Sequence, residues 1–225
     1  MRRFASSLIV AAGCALAVPA MASTLGPADG YGLFVIGDYT ASNTDSEGSV
    51  AVGGNATVSN YAAGMTTPNA SAKFVVGGSL TANNGGVGSG QGGRIFTGGS
   101  ATLSSFTANG GVFQNQGTNL PVDFGSAATT LRNTSSSLGG MAGNGTVQLQ
   151  YGTLNLTGTN AGTNVFTISG SDWNGANTVN INAPTGSSVL LNIAGSAITF
   201  ANGQINLNGI GRGSVLYNLY EATSL

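Results

Sequence analysis

Three segments in the first half of the chain share one pattern of apolar and polar positions. They are SVAVGGNATVS (49–59), KFVVGGSLTAN (73–83) and RIFTGGSATLS (94–104). Each contains an apolar run of strand character, a glycine pair, a small polar residue and a second, alternating run. The glycine pairs begin at Gly53, Gly77 and Gly98, so the steps between them are 24 and 21 residues.

Steps of this length predict stacked coils, because each unit can bury its apolar face only against its neighbours. We therefore predict a mainly β fold, namely a right-handed parallel β-solenoid. The glycine pairs fit the corners where one strand bends into the next face, since glycine adopts backbone conformations closed to other residues. An antiparallel arrangement, with each glycine pair as a hairpin turn, stays open as the alternative.

The second half continues the strand pattern without glycine pairs. Apolar and polar residues alternate at 147–150 and at 205–208, and turns rich in Gly, Asn or Pro separate the short runs. In stacked coils, asparagine side chains beside strands can form amide ladders, whereas the alternative is a solvated turn. The asparagines in question are Asn155, Asn182, Asn192 and Asn206.

One segment has helical character, and we predict a helix over about 121–138 that flanks the strands. Pro121 suits a first helical turn, Asp123 suits the positive end of the helix dipole, and Gly139 suits the exit. Apolar residues recur at helical spacing, which gives one face to pack against the coils. This face consists of Phe124, Ala127, Ala128, Leu131 and Leu138.

The N-terminus has the order of a secretory signal peptide. Two arginines precede an apolar run at 8–18, and Ala20-Met21-Ala22 forms an A-x-A cleavage site. We predict a signal peptide at 1–22, cleavage after Ala22 and a single mature domain at 23–225. A lipidated Cys14 is the alternative, because two small residues precede that cysteine.

Composition limits what the mature chain can be. It holds four basic and seven acidic residues, so its net charge is 4 − 7 = −3. It therefore lacks the basic surface that nucleic-acid binding requires. No cysteine follows residue 22, so no disulfide stabilises the mature chain, and no second apolar stretch reaches the ~18 residues of a membrane span. We predict a folded extracellular protein.

The acidic residues of the opening region are candidate metal ligands. Asp38, Asp45 and Glu47 could form an oxygen site for calcium. An EF-hand is excluded, because Gly54 stands where the bidentate glutamate is needed and no helices flank the loop. Asp45 and Glu47 would also suit a catalytic pair for glycoside hydrolysis, on one face of a strand. A polar turn with solvated acids is the simplest interpretation.

No other constellation carries chemistry. The chain has no histidine, and without a mature cysteine it cannot form a Ser-His-Asp, Cys-His or ordinary zinc site. We predict no catalytic residue and no cofactor. Trp173 would suit stacking on a sugar ring, and the alternative is a turn tryptophan folded onto the coil.

Three segments resemble the choice-of-anchor A domain, a family of bacterial secreted proteins. YGLFVIGDYTASNTDSEGSVAVGGNATVSNY (31–61) is similar to its opening motif, LPVDFGSAATTLRNTSSSLG (120–139) to its helical insertion, and GSVLYNLYEATSL (213–225) to its late strand. The resemblance runs from about Gly26 to the last residue. It implies a secreted or cell-surface role of adhesive or matrix-forming kind, with no catalytic residues to transfer. Relative to that family, we expect the domain to be incomplete at its C-terminus, without an anchor.

Three functions from different classes follow. The leading one is a secreted or cell-surface structural or adhesive protein that presents an uncharged β-solenoid surface to extracellular polysaccharide or to other surface proteins. The second is a β-solenoid enzyme that degrades polysaccharides. The third is ice binding, with Thr153, Thr157 and Thr159 on a flat face.

The last strand predicts self-association. Repeat proteins shield their terminal coils, because an uncovered coil presents unpaired backbone and an apolar face to solvent. Only Glu221 lies nearby to discourage pairing. The residues that we expect to pair are Val215, Leu216, Tyr217 and Leu219, with Tyr220 beside them.

Overall fold

The computed structural model describes residues 25–68, 71–200 and 203–224. The signal peptide, its cleavage after Ala22 and the Cys14 alternative lie outside these residues. The chain is mainly β with parallel sheets and two helices, which confirms the mainly β class and the parallel strands; the second helix was not predicted. It separates into two compact units, which we call the N-terminal unit (Leu25–Thr130) and the C-terminal unit (Leu131–Leu225).

The strands of the N-terminal unit alternate between two sheets. The first sheet has the order β1 (Tyr31–Val35), β3 (Ser49–Val52), β5 (Lys73–Val76), β7 (Arg94–Thr97) and β9 (Val112–Phe113). The second has the order β2 (Tyr39–Ser46), β4 (Ala56–Ala63), β6 (Leu80–Val87) and β8 (Ala101–Thr107). Every pair of neighbouring strands in both sheets is parallel. The hairpin alternative for the glycine pairs is therefore wrong.

The core of this unit lies between the inner faces of the two sheets. Val50 and Phe74 of the first sheet and Val58 and Leu80 of the second belong to one buried cluster. Their neighbours along each strand point to the opposite face, because side chains alternate across a strand. In the second sheet the alternation of the sequence shows which residues face inward, as in β4, whereas β3 and β5 are apolar and buried along almost their whole length.

The glycine pairs occupy the corners, as predicted, but for a different physical reason. None of Gly53, Gly77 and Gly98 has a positive φ. The corners instead stack so closely that a Cβ on Gly77 would overlap the carbonyl oxygen of Gly53, and a Cβ on Gly98 would overlap that of Gly77. Glycine is required here because only backbone fits between successive corners.

The C-terminal unit repeats the arrangement with fewer strands. One sheet has the order β10 (Thr146–Gln150), β11 (Thr153–Thr157), β13 (Thr178–Asn182) and β15 (Gln204–Asn208). The other has the order β12 (Thr163–Ser169), β14 (Ser188–Ala194) and β16 (Val215–Asn218). Only the β10–β11 pair is antiparallel among these named strands. Both sheets contribute to a second buried cluster, which includes Leu154, Phe166, Val179 and Leu191.

Helix α1 (Phe124–Gly139) confirms a helix in the predicted region. It begins later than expected, so Pro121 precedes the helix instead of forming its first turn. Asp123 caps the start, because its Oδ1 accepts a hydrogen bond of 3.0 Å from the backbone N–H of Ser126. The first turns belong to the N-terminal unit, where the ring of Phe124 lies 5.8 Å from that of Phe34.

A second helix, α2 (Gly170–Asn174), was not expected from the sequence. The hydroxyl of Ser169 caps it by accepting a hydrogen bond of 3.1 Å from the backbone N–H of Asp172. The helix carries Trp173, which is 5% exposed and contacts the rings of Phe200 and Tyr217. Of the two interpretations of Trp173, the folded-in tryptophan is confirmed, although it lies in a helix instead of a turn, and sugar stacking is wrong because the ring is buried.

Candidate functional site

A column of four threonines crosses the outer face of the β2–β4–β6–β8 sheet. Thr40 pairs in register with Thr57, Thr57 with Thr81, and Thr81 with Thr102, and all four are exposed. They face outward because their neighbours along the strands are apolar and pack toward the core. Thr57, Thr81 and Thr102 each lie four residues after the first glycine of a pair, so this constant offset could have revealed these three in the sequence.

A second polar column follows two residues later on each strand. It consists of Ser42, Ser59, Asn83 and Ser104, which are paired in register. Neighbouring strands lie about 4.7–4.9 Å apart, and alternate residues on one strand about 6.6–6.8 Å apart. The two columns therefore form a regular two-dimensional array of hydroxyl and amide groups.

A third column borders this array, and its backbone is left-handed. Asn43, Asn60, Asn84 and Ser105 have φ values of 55°, 47°, 54° and 51°. Asparagine tolerates this conformation better than most residues, because its short polar side chain bonds locally. The side-chain amide of Asn60 donates to Asn43 and that of Asn84 donates to Asn60, each over 2.8 Å. We call these three columns together the hydroxyl face; none of its twelve residues is charged.

The structure does not bring the three calcium candidates together. The carboxylate of Asp38 lies at a corner and accepts a hydrogen bond of 2.7 Å from the backbone N–H of Asn55. Asp45 lies in β2, which ends at Ser46, so Glu47 lies in the following turn. In residues 25–68, 71–200 and 203–224, no three His, Cys, Asp or Glu side chains are placed to hold a metal ion.

The position of Glu47 also corrects the basis of the catalytic-pair hypothesis. That hypothesis placed Asp45 and Glu47 two residues apart on one face of a strand. Because β2 ends between them, the alternation of a strand does not carry Glu47 to the face of Asp45. Both side chains are exposed.

The threonines expected to form an ice-binding face lie in a different setting. Thr153 and Thr157 are in β11, whereas Thr159 follows that strand. Thr157 pairs with Thr146 and Thr153 with Thr178, but the rows continue with Asn182, Asn208 and Gln204, so no threonine column crosses the sheet. The predicted threonine face is instead an amide-rich face.

Asparagine ladders hold this face together, and the ladder interpretation is confirmed at all four proposed positions, three of them on this face. Asn180 donates to Asn155 and Asn206 to Asn180, each over 2.9 Å. Asn208 donates to Asn182, also over 2.9 Å. Asn192, the fourth position, is part of a buried ladder in the other sheet of the unit.

Sequence reasoning missed Tyr151, the most exposed of the large apolar or aromatic side chains in the described parts of the chain, at 97%. It forms the turn between β10 and β11 with Gly152. Two alternating runs separated by a Tyr-Gly pair were the available signal, because two-residue connections of this kind form hairpins.

The last strand differs from its prediction. Val215, Leu216, Tyr217 and Leu219 are half-buried, and three of them pack against the C-terminal core, namely Val215, Tyr217 and Leu219. The expectation of an apolar side-chain face open to solvent is therefore wrong. In the described residues β16 is an outer strand of its sheet, so the part of the expectation that concerns its backbone edge stays a prediction.

In the described parts of the chain, no helix combines the length and apolar character needed to cross a membrane. A family model described as "Putative Ice-binding-like adhesive domain" matches residues 24–225. Neither a curated protein nor a solved structure matches the chain. The match is to a family of adhesive domains and not to a family of enzymes.

Proposed function

Because the chain belongs to the family of ice-binding-like adhesive domains, we propose that it is a secreted or cell-surface adhesive protein that attaches through its hydroxyl face. Its ligand is an ordered, neutral surface rich in hydroxyl groups, such as packed extracellular polysaccharide. The resemblance of its opening segment to choice-of-anchor A domains supports a surface role of this kind.

We propose that a right-handed parallel β-solenoid presents the hydroxyl face for this attachment. Support comes from the strands of the N-terminal unit, which alternate between two parallel sheets, and from the stacked glycine corners. The right-handed sense follows the strong general preference of parallel crossover connections. Stacked coils repeat the same positions on one face, which is what a periodic ligand requires.

The observation that carries the proposal is the in-register column of Thr40, Thr57, Thr81 and Thr102. Four copies of one side chain at strand spacing match a ligand that is itself periodic. A neutral face also avoids the desolvation cost that charged groups incur when a neutral solid displaces their water. Many weak hydrogen bonds, each worth about 0.5–1.5 kcal/mol net, then act together on one ligand.

Binding to insoluble polysaccharide tests the proposal. The double variant Thr57→Val, Thr81→Val removes two central hydroxyls and keeps the shape and strand preference of the side chains. With the loss of two hydrogen bonds, we expect about tenfold weaker retention on cellulose or chitin. The matched control is Thr167→Val, Thr185→Val, at two exposed threonines elsewhere. Equal retention of both double variants and the wild type would contradict the proposal.

Ice is a second candidate ligand, and the same threonine column favours it. Each threonine presents a hydroxyl and a methyl group, so the column offers regular sites for both hydrogen bonding and packing of ordered water. Thermal hysteresis of the wild type measures this activity directly. We expect Thr57→Lys, Thr81→Lys to abolish it, because two long charged side chains interrupt the flat face. A wild type without thermal hysteresis excludes ice as the ligand.

Export is part of the proposal, and the signal-peptide pattern at 1–22 supports it. The exported protein is expected to begin at Ser23. N-terminal sequencing of the secreted or surface fraction checks this. A chain that begins at a lipid-bearing Cys14 would support the lipoprotein alternative instead.

A further inference from the structure

Tyr151 is held in a backbone conformation that tyrosine rarely adopts. It has φ of 48° and is followed by Gly152 with φ of 75°, in a two-residue turn that joins Gln150 to Thr153. Turns with two positive φ values favour Asn-Gly or Gly-Gly, because a Cβ crowds the backbone in this conformation. A bulky residue retained at a strained position is a reason to look for a function.

The turn that displays Tyr151 is anchored to the next strand. The carbonyl oxygen of Gly152 accepts hydrogen bonds from the backbone N–H groups of Asn177 (2.8 Å) and Thr178 (3.2 Å). The tyrosine side chain is nevertheless 97% exposed. The ring is thus presented to solvent from a fixed backbone and not from a free loop.

The sheet that ends at this turn carries an uncharged polar face. Its rows are Gln150, Thr153, Thr178 and Gln204; Gln148, Asn155, Asn180 and Asn206; and Thr146, Thr157, Asn182 and Asn208. We call it the amide face. An asparagine in the middle of a ladder uses one N–H and one oxygen lone pair, as Asn180 does. Each such amide has a second N–H and a second lone pair for a ligand.

We infer that Tyr151 and the adjoining amide face form a binding site for a single neutral polysaccharide chain. The exposed ring stacks on the apolar face of one sugar, and the amide and hydroxyl groups bond the hydroxyls of neighbouring sugars. The absence of charge among the twelve residues of the amide face favours a neutral glycan over an acidic one. The inference rests on the proposed adhesive function and adds a second site on a different sheet.

Two substitutions distinguish the effect of the tyrosine ring on binding from the effect of the turn conformation. Tyr151→Asn removes the ring and creates the Asn-Gly pair that this turn favours, so the variant should fold at least as well as the wild type. Tyr151→Phe keeps the ring and serves as the matched control. Isothermal titration with cellohexaose, laminarihexaose and mannohexaose measures binding of soluble neutral chains, and thermal melting checks the fold.

We expect the wild type to bind at least one of the three hexasaccharides. Tyr151→Asn should weaken that binding about tenfold, as expected for the apolar area that one ring face covers, with the melting temperature unchanged or higher. Tyr151→Phe should bind like the wild type. No binding by the wild type, equal binding by Tyr151→Asn, or a loss in Tyr151→Phe as large as in Tyr151→Asn would overturn the inference.

The double variant Thr57→Val, Thr81→Val distinguishes the two sites. If the hydroxyl face is not a binding site, this variant still adheres to insoluble polysaccharide. This outcome does not depend on whether Tyr151 binds soluble chains. If the Tyr151 site fails, the hexasaccharide titrations show it while adhesion through the hydroxyl face persists.

Discussion

The side-chain amide of Asn218 donates a hydrogen bond of 2.8 Å to the side-chain oxygen of Asn192, and both residues are buried. Both also bond the last part of α1. Asn192 donates to the carbonyl oxygen of Leu138 over 2.6 Å, and Asn218 donates to that of Ser135 over 2.9 Å. This short ladder fastens the end of the helix to the β12–β14–β16 sheet.

Asn192→Ala tests the importance of this attachment. The substitution removes the donor to Leu138 and the acceptor of Asn218 in a buried setting, so we expect a loss of about 2–3 kcal/mol in the free energy of unfolding. Urea denaturation measures it. Asn180→Ala, in the half-buried ladder of the amide face, is the control and should cost about 1 kcal/mol or less, because water replaces the lost bonds. Equal losses would show that burial does not matter here.

Gly77→Ala tests the stacking of the corners. The new Cβ overlaps the carbonyl oxygen of Gly53, so the two neighbouring corners must separate, at a cost of about 1–3 kcal/mol. At Gly211 a Cβ meets no atom within 4 Å and φ is −99°. Gly211→Ala should therefore leave stability unchanged or raise it by up to about 1 kcal/mol. Denaturation midpoints compare the two variants, and a Gly77→Ala protein as stable as the wild type would refute tight stacking.

The left-handed backbone of Asn60 predicts an unusual order of stability. With φ of 47°, alanine is strained at this position and glycine is not. Asn60→Ala should therefore be about 1 kcal/mol less stable than Asn60→Gly. The neighbouring Ser59 has ordinary extended backbone. There we expect the reverse order, with Ser59→Ala about 0.5–1 kcal/mol more stable than Ser59→Gly. Thermal melts of the four variants give the comparison, and the same order at both positions would contradict it.

Tyr61 predicts a loss of stability in alkali. Burial raises the pKa of its phenol above the ordinary value near 10. The contribution of Tyr61 to the free energy of unfolding is therefore fully present below about pH 10. It decreases at higher pH, because the phenol ionises first in the unfolded chain. We expect Tyr61→Phe to reduce the fall in the free energy of unfolding between pH 9 and pH 11, as measured by urea melts across this range.

The same substitution has a second readout at neutral pH. In the described residues, the hydroxyl of Tyr61 is the buried side-chain polar atom without a hydrogen-bond partner. Tyr61→Phe should therefore be neutral or stabilising by about 1 kcal/mol at pH 7. Tyr151→Phe, at a tyrosine that is 97% exposed, should leave the stability at pH 7 unchanged. A Tyr61→Phe variant that is destabilised at pH 7 would imply a partner for the hydroxyl.

Self-association through the end of the chain stays a prediction, now based on backbone. β16 is an outer strand of its sheet in the described residues, and an outer strand can pair its backbone with a second copy, although the apolar side chains of β16 are half-buried. We expect the molar mass from light scattering to rise with protein concentration. Leu216→Lys should suppress the rise, and circular dichroism checks that this variant still folds. A wild type that stays monomeric at high concentration would contradict the prediction.

The sequence determined the strands, the corners and the inward residues. Period-2 alternation decides which side of a strand is apolar, and this choice is local, so Val58 and Leu80 could be placed in a core from the chain alone. The equal offsets from Gly53, Gly77 and Gly98 place Thr57, Thr81 and Thr102 at equivalent positions of their repeats, although they do not by themselves place these residues side by side. The helix near Phe124 followed from its spacing and its cap.

Only the tertiary structure decided how strands lie beside each other. Register across a sheet brings Asn60 beside Asn43 and Thr57 beside Thr81, residues 17 and 24 positions apart. No local pattern specifies such neighbours, because they depend on how the turns between them fold. The strained turn at Tyr151 and the burial of Trp173 arise in the same way. Side-chain alternation is a property of one strand, whereas a binding face is a property of several strands in register.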